Sequence, residues 1–109
     1  MYRGSTPTFP FKICGKDLTG AKLFITIRDD KTGNLQTVTS DEERLSFSFD
    51  GTDTVGEVTL TQEETLAINA GSARVQIRYI YPNGKAGVTQ TEAISVKDVL
   101  LKEVISYGE

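Results

Sequence analysis

The chain contains no histidine, no tryptophan and a single cysteine among its 109 residues. Without histidine it lacks the commonest proton shuttle and metal ligand of neutral pH, which excludes Ser/His/Asp and Cys/His catalytic sets and histidine-bearing zinc sites. Cys14 alone closes no internal disulfide. With no imidazole to hold a thiolate, it reads as a small buried hydrophobe beside Ile13 at a strand end. Long apolar runs are missing too, and none approaches the roughly 18 residues of a membrane-spanning helix. Met1 to Pro7 carries no apolar stretch of the secretory kind, so synthesis and folding in a host cytoplasm are expected. Positive charge is not in surplus either. Twelve basic and fifteen acidic residues leave a net charge of −3 spread along the chain, a balance that argues against nucleic acid as a partner. Neither a glycine-rich phosphate loop nor a zinc spacing is present, and no cofactor is expected.

What remains is a β-strand pattern. The length suits one domain over residues 1–109, with a core that needs no disulfide or metal. Phe9, Phe11 and Ile13 alternate through a first strand, where Pro7 and Pro10 suggest an edge position or a bulge. Leu23, Ile25 and Ile27 share one face of a second strand, with Phe24 on the other. Asp29-Asp30-Lys31-Thr32-Gly33-Asn34 is a turn by composition and leads to a strand through Leu35 to Val38. Leu45, Phe47 and Phe49 alternate with serines, and Val58 with Leu60 marks a short fifth strand. At Thr61-Gln62-Glu63-Glu64 the pattern changes to a capping box, which predicts a short helix at about 61–68, ended by Ala70-Gly71. Val75, Ile77, Tyr79 and Tyr81 then line one face of a strand. Asn83-Gly84 predicts a two-residue type I′ turn, and a return strand is expected from about Val88 to Val96. For the C-terminal part, Ser95 to Ile105 fits an edge strand, while the apolar spacing favours a short helical turn at Asp98 to Lys102. About seven strands with regular turn signals read as an antiparallel, immunoglobulin-like β-sandwich.

Candidate chemistry is sparse. The Asp29–Asn34 turn fails the calcium-loop spacing, because Lys31 falls where an oxygen ligand is required and no glutamate closes the loop. Asp50, Asp53 and the neighbouring Asp41, Glu42 and Glu43 form a second acidic cluster that reads as solvated loops. The most distinctive polar row is Arg74, Gln76 and Arg78, at alternate positions of one strand. If Tyr79 and Tyr81 face the core, this row forms a flat exposed strip able to meet a partner. Tyr2 and Arg3 lie in a polar start, residues 1–7, that reads either as a frayed end or as an arm docking on a neighbouring subunit.

Three stretches carry a family resemblance: Tyr2-Arg3-Gly4-Ser5-Thr6-Pro7-Thr8-Phe9, Val58-Thr59-Leu60-Thr61-Gln62-Glu63-Glu64-Thr65, and Val75-Gln76-Ile77-Arg78. Together they resemble small structural or accessory proteins of phages and prophages of Gram-positive bacteria. Those are similar in turn to the N-terminal β-sandwich of phage baseplate upper proteins. The pattern lapses at Pro10, Lys12, Lys16 and Asp17, where a more apolar first strand is expected. The resemblance implies a non-enzymatic virion component of the tail or baseplate, whose partners are other virion proteins or copies of itself. The alternative is a stand-alone module for a cell-surface glycan, which would need exposed aromatic rings; Tyr2, Tyr107 and one of Tyr79 or Tyr81 are the candidates. An enzyme ranks third, with Asp50, Asp53 and Glu63 as the first residues to replace.

Overall fold

The period of two along the chain is realised as eight strands in the computed structural model, which describes residues 1–107. In chain order these are β1 (Thr8–Ile13), β2 (Lys22–Asp29), β3 (Leu35–Thr39), β4 (Leu45–Phe49) and β5 (Thr54–Thr59), then helix α1 (Gln62–Ala67). After the helix come β6 (Gly71–Ile80), β7 (Ala86–Val88) and β8 (Glu92–Val96). One sheet has the order β1-β5-β4, and the other β3-β2-β6-β7 with β8 also pairing β6. All the pairings between these strands are antiparallel. The fold is the expected all-β antiparallel sandwich with one short helix.

The core follows from strand alternation. Leu23, Ile25 and Ile27 of β2 are at most 2% exposed, and they meet Val38, Leu45, Val58 and Ile77 in one apolar cluster. Fully burying a side chain of this size contributes roughly 1.5–3 kcal/mol. The helix begins as its sequence predicts: Thr61 Oγ1 accepts from the Glu64 amide at 3.2 Å, and the Glu64 carboxylate accepts from the Thr61 amide at 2.9 Å. Glu64 also receives the Arg44 guanidinium, with Arg44 Nη2 donating at 2.9 Å, which ties α1 to the start of β4.

Four local expectations are corrected. The β6–β7 connection is not a two-residue type I′ turn, because that turn needs positive φ at both central residues and no residue other than glycine has one. Pro82 decides the matter: its fixed φ suits the second position of a type I turn. The Gly84 amide then donates to the Tyr81 carbonyl at 2.9 Å, with Gly84 at φ +87° and the Tyr81 amide bonded to the Lys85 carbonyl at 2.8 Å. This is a three-residue loop. Second, the return strand is not continuous. Arg78 faces Val88 and Val75 faces Glu92, so three steps along β6 oppose four on the returning chain. The extra residue is a bulge, held by Ile77 and Thr89, whose amide donates to the Ile77 carbonyl at 2.9 Å while its hydroxyl accepts from the Ile77 amide at 3.1 Å. Third, Asp98 to Tyr107 forms neither helix nor strand. Arg3 holds Asp98 and the Gln62 side chain holds the Ile105 backbone, and between these anchors the chain bends at Leu100 and Glu103. Fourth, Cys14 is exposed, because β1 ends on the buried Ile13 and Cys14 begins the turn that leaves the core.

The turn after β2 is more than a solvated loop. Asp29 is fully buried. It accepts from the Thr32 amide at 2.7 Å, from the Thr32 hydroxyl at 2.9 Å, and from Asn69 Nδ2 at 3.2 Å. Burial opposes its charge, but the bonds from Thr32 and Asn69 win and pull its pKa down to about 2. One carboxylate thus joins the β2–β3 turn to the segment that follows α1.

In the narrower sheet, Gly56 sits between Phe11 and Phe47 on the neighbouring strands. A Cβ there would lie 2.6 Å from Phe11 Cζ and 2.8 Å from Phe47 Cβ. Gly56→Ala is therefore expected to lose about 1–3 kcal/mol through overpacking, read as a lower urea midpoint. Because the folded pKa of Asp29 lies below its ordinary value, its contribution is complete above about pH 4 and is lost as pH falls toward 2. In Asp29→Asn the drop in urea midpoint between pH 7 and pH 3 should be smaller than in the parent, from a lower starting stability.

Candidate functional site

The outer face of the wider sheet carries the Arg74, Gln76 and Arg78 row where strand alternation puts it, with Tyr79 buried on the opposite face. The three residues are not equivalent. Arg74 lies opposite Arg28 on β2, and Asp30 sits between them, 3.5 Å from Arg74 Nε and 3.8 Å from Arg28 Nη2. Gln76 is half-buried and donates to the Thr89 carbonyl at the bulge at 3.0 Å. Arg78 has no hydrogen-bond or ion-pair partner among the described residues, and it is flanked by Phe24 on β2 and Val88 on β7. The strip is thus a single available guanidinium in partly apolar surroundings, with its other two members bound to their own chain.

The first seven residues are not a free arm. Met1 to Arg3 run parallel to the end of β8: the Lys97 amide donates to the Met1 carbonyl at 2.7 Å and the Arg3 amide to the Lys97 carbonyl at 2.9 Å. Arg3 Nη2 donates to the Leu66 carbonyl at 2.6 Å, and Nη1 pairs with Asp98 at 3.0 Å. The Ser5 carbonyl accepts the Thr65 hydroxyl at 2.8 Å, and the Pro7 carbonyl accepts the Leu60 amide at 3.0 Å. Tyr2 stays 56% exposed, with Lys97 Nζ over its ring at 5.5 Å. Tyr2 and Arg3, expected to meet a partner, belong to a strap that joins β8, α1 and β5 of the same chain.

The feature that sequence reasoning missed is the seam between the sheets. One sheet is three strands wide; the other is four, because β7 and β8 share one side of β6. At about 4.8 Å per strand, one strand's width of the wider sheet has nothing above it. A groove of about 700 Å³ opens there, between β1 on one side and β7–β8 on the other. Its apolar lining includes Phe9, Phe11, Ile25, Ile77, Tyr79 and Ile94, and Lys12, Cys14 and Lys16 lie on the β1 side with Glu92 across from them. The only hint in the sequence was Pro10, which marks β1 as an edge strand.

The acidic residues are engaged in loop structure. Asp50 accepts from the Asp53 amide at 2.7 Å and the Thr52 amide at 2.9 Å, which holds its carboxyl below the usual range. Asp53 accepts from the Gly15 amide at 2.8 Å and pairs with Lys12 at 3.3 Å. Asp41 pairs with Lys22 and Glu42 with Arg44. Glu63 is exposed on the first turn of α1. Among the described residues no three Asp, Glu, Cys or His side chains converge on a point where a metal could sit. Of the tyrosines, Tyr107 is fully exposed, Tyr79 is buried, and Tyr81 is half-buried with its hydroxyl on the Asp17 carbonyl at 3.1 Å. No family model matches the chain, and no curated protein and no solved structure is found similar to it.

A chain starting at Thr8 loses the strap. With net contributions of about 1 kcal/mol for each hydrogen bond and more for the charge-assisted pair, its stability is expected to fall by roughly 2–4 kcal/mol. A chemical-denaturation comparison with the full chain measures the difference.

Proposed function

We propose that this chain is a non-enzymatic assembly module that works by protein–protein contact, and that its setting is the tail or baseplate of a phage particle. The observation that carries the reading is the seam: an apolar groove beside an open sheet edge, in a chain that also exposes Leu100, Leu101, Val104 and Ile105. Apolar surface gathered in this way marks a binding site far more often than a solvated face. A groove flanked by a strand edge suits an extended peptide, whose backbone bonds to the edge while alternate side chains fill the groove. Asp50, Asp53, Asp41 and Glu42 are committed to turns and ion pairs. The phage setting rests on the resemblance of the Tyr2–Phe9, Val58–Thr65 and Val75–Arg78 stretches.

Light scattering on a sizing column over roughly a hundredfold range of concentration, paired with capture from purified phage tails, tests the reading. A defined oligomer, or a stable complex with one tail protein, is the expected result. A strict monomer that captures no tail protein would overturn it.

A further inference from the structure

Building on the assembly reading, we infer that the occupant of the seam is the C-terminal segment Leu100–Tyr107 of a second copy of the chain, added as a strand beside β1. The groove and the segment have complementary deficits. The narrower sheet is short of the wider by one strand, which is the width left open above β6 and β7–β8. The segment, bent at Leu100, Glu103 and Tyr107, has no place in either sheet and would straighten on docking. Leu100 and Tyr107 are 103% exposed, Ile105 61%, Leu101 56% and Val104 53%. Among the described residues the segment's backbone is bonded only through the Gln62 side chain, which donates to the Ile105 carbonyl at 3.0 Å and accepts from its amide at 2.8 Å. That two-point contact is what an adjacent strand offers a residue, here supplied by a side-chain amide that a real strand can replace.

The edge that would receive it is available on one side. The Leu60 amide bonds to the Pro7 carbonyl. Bonded pairs alternate along an antiparallel ladder, so the pairs containing Thr8, Pro10 and Lys12 turn their amide positions to the free edge. Pro10 has no N–H to give, which leaves Thr8 and Lys12 as donors.

A second copy is favoured over the chain's own tail because the direct return path is occupied. To enter its own seam the tail would reverse at Lys97 and run along β8. Met1 to Arg3 already occupy that edge at Ser95 to Lys97, and Arg3 holds Asp98. In a strand Leu101, Ile105 and Tyr107 share one side, and that side meets the groove's apolar lining of Phe9, Phe11 and Ile94. The Lys102–Asp98 pair that must adjust is exposed and weak. If each copy gives and receives one strand, the result is a closed two-fold dimer rather than a fibre.

Cys14, exposed in the groove wall and the only cysteine, provides the test. Ile105→Cys changes an exposed residue and leaves the core intact. Treated with diamide, a mixture of isotopically labelled and unlabelled Ile105→Cys chains should form a covalent dimer whose crosslinked peptide joins Cys14 of one chain to position 105 of the other. In parallel, a chain ending at Val99 should dimerise at least about tenfold more weakly than the full chain, and an Asp98–Tyr107 peptide should bind it saturably. A crosslink confined within single chains, or none to position 105, overturns the inference. A full chain that associates equally well without the segment overturns it while leaving the assembly reading in place. So does a monomer that captures a tail protein. A monomer that captures nothing overturns both.

Discussion

Most of this structure depends on a mismatch of one strand between its two sheets. A sandwich excludes water from its core only where both sheets are present, and here three strands face four. β4 and β5 cover the β3–β2 side, where Leu23, Ile27 and Val38 are essentially sealed. On the β1 side the cover runs out, and Phe9, Phe11, Val75 and Ile94 are only partly buried although they pack against the core. Glycines let aromatic rings close part of the gap. Phe11 folds over Gly56, and the Tyr79 ring lies against Gly87 on the paired strand, stacked edge-on to Tyr81 with centroids 5.9 Å apart. What they leave open is the groove.

The same sandwich has its chain ends and its one helix held together by a small number of polar contacts. Arg3 binds a helix carbonyl and Asp98 at once, and its Nε is buried without a partner. A guanidinium with one N–H unsatisfied remains worthwhile when its other bonds are charge-assisted and link elements far apart in sequence. Arg44 does the corresponding work between β4 and α1, with Glu64 serving both the arginine and the helix cap. Burial opposes the Glu64 charge, yet Arg44 and the Thr61 amide keep its carboxyl below the usual range. These anchors confine the first residues and Asp98, but they leave the apolar side chains beyond Val99 half or more exposed.

Much of the fold was legible in the residues, and the failures have separate causes. Period-two alternation located the strands because one face of each sheet is buried, and the capping box placed α1 within a residue. Taken further, the same alternation would have settled two misreadings. It puts Asp29 on the core face of β2 with Leu23, Ile25 and Ile27, and it ends at Ile13, which leaves Cys14 to the turn that follows. The turn at Asn83-Gly84 was misread because the preceding Pro82, not the Asn-Gly pair, sets the backbone. The bulge at Thr89 and the partnership of Asp29 with Asn69 are tertiary, and no local pattern announces them. The candidate strip was correctly located on an outer face, but which of Arg74, Gln76 and Arg78 is free depends on Asp30 and the bulge. The seam was illegible because it is a difference in sheet width, a property of the pairing topology rather than of any strand.

An open edge beside an apolar groove is normally a hazard, since any extended apolar peptide could add to it. Two residues of β1 that weakened its likeness to an apolar first strand, Pro10 and Lys12, answer that hazard. Pro10 deletes the middle donor of the free edge, so a strand bonding there must do without a partner at that point. Lys12, paired with Asp53, sets a charged side chain on the outward face of the same edge, where a purely apolar strand would crowd it. Edge guards of this kind do not close the groove; they restrict its register and its partner. An edge that had only to be kept from pairing could be covered outright, as Met1 to Arg3 cover the end of β8. That β1 is guarded but uncovered argues that its edge would admit only a strand of matching spacing.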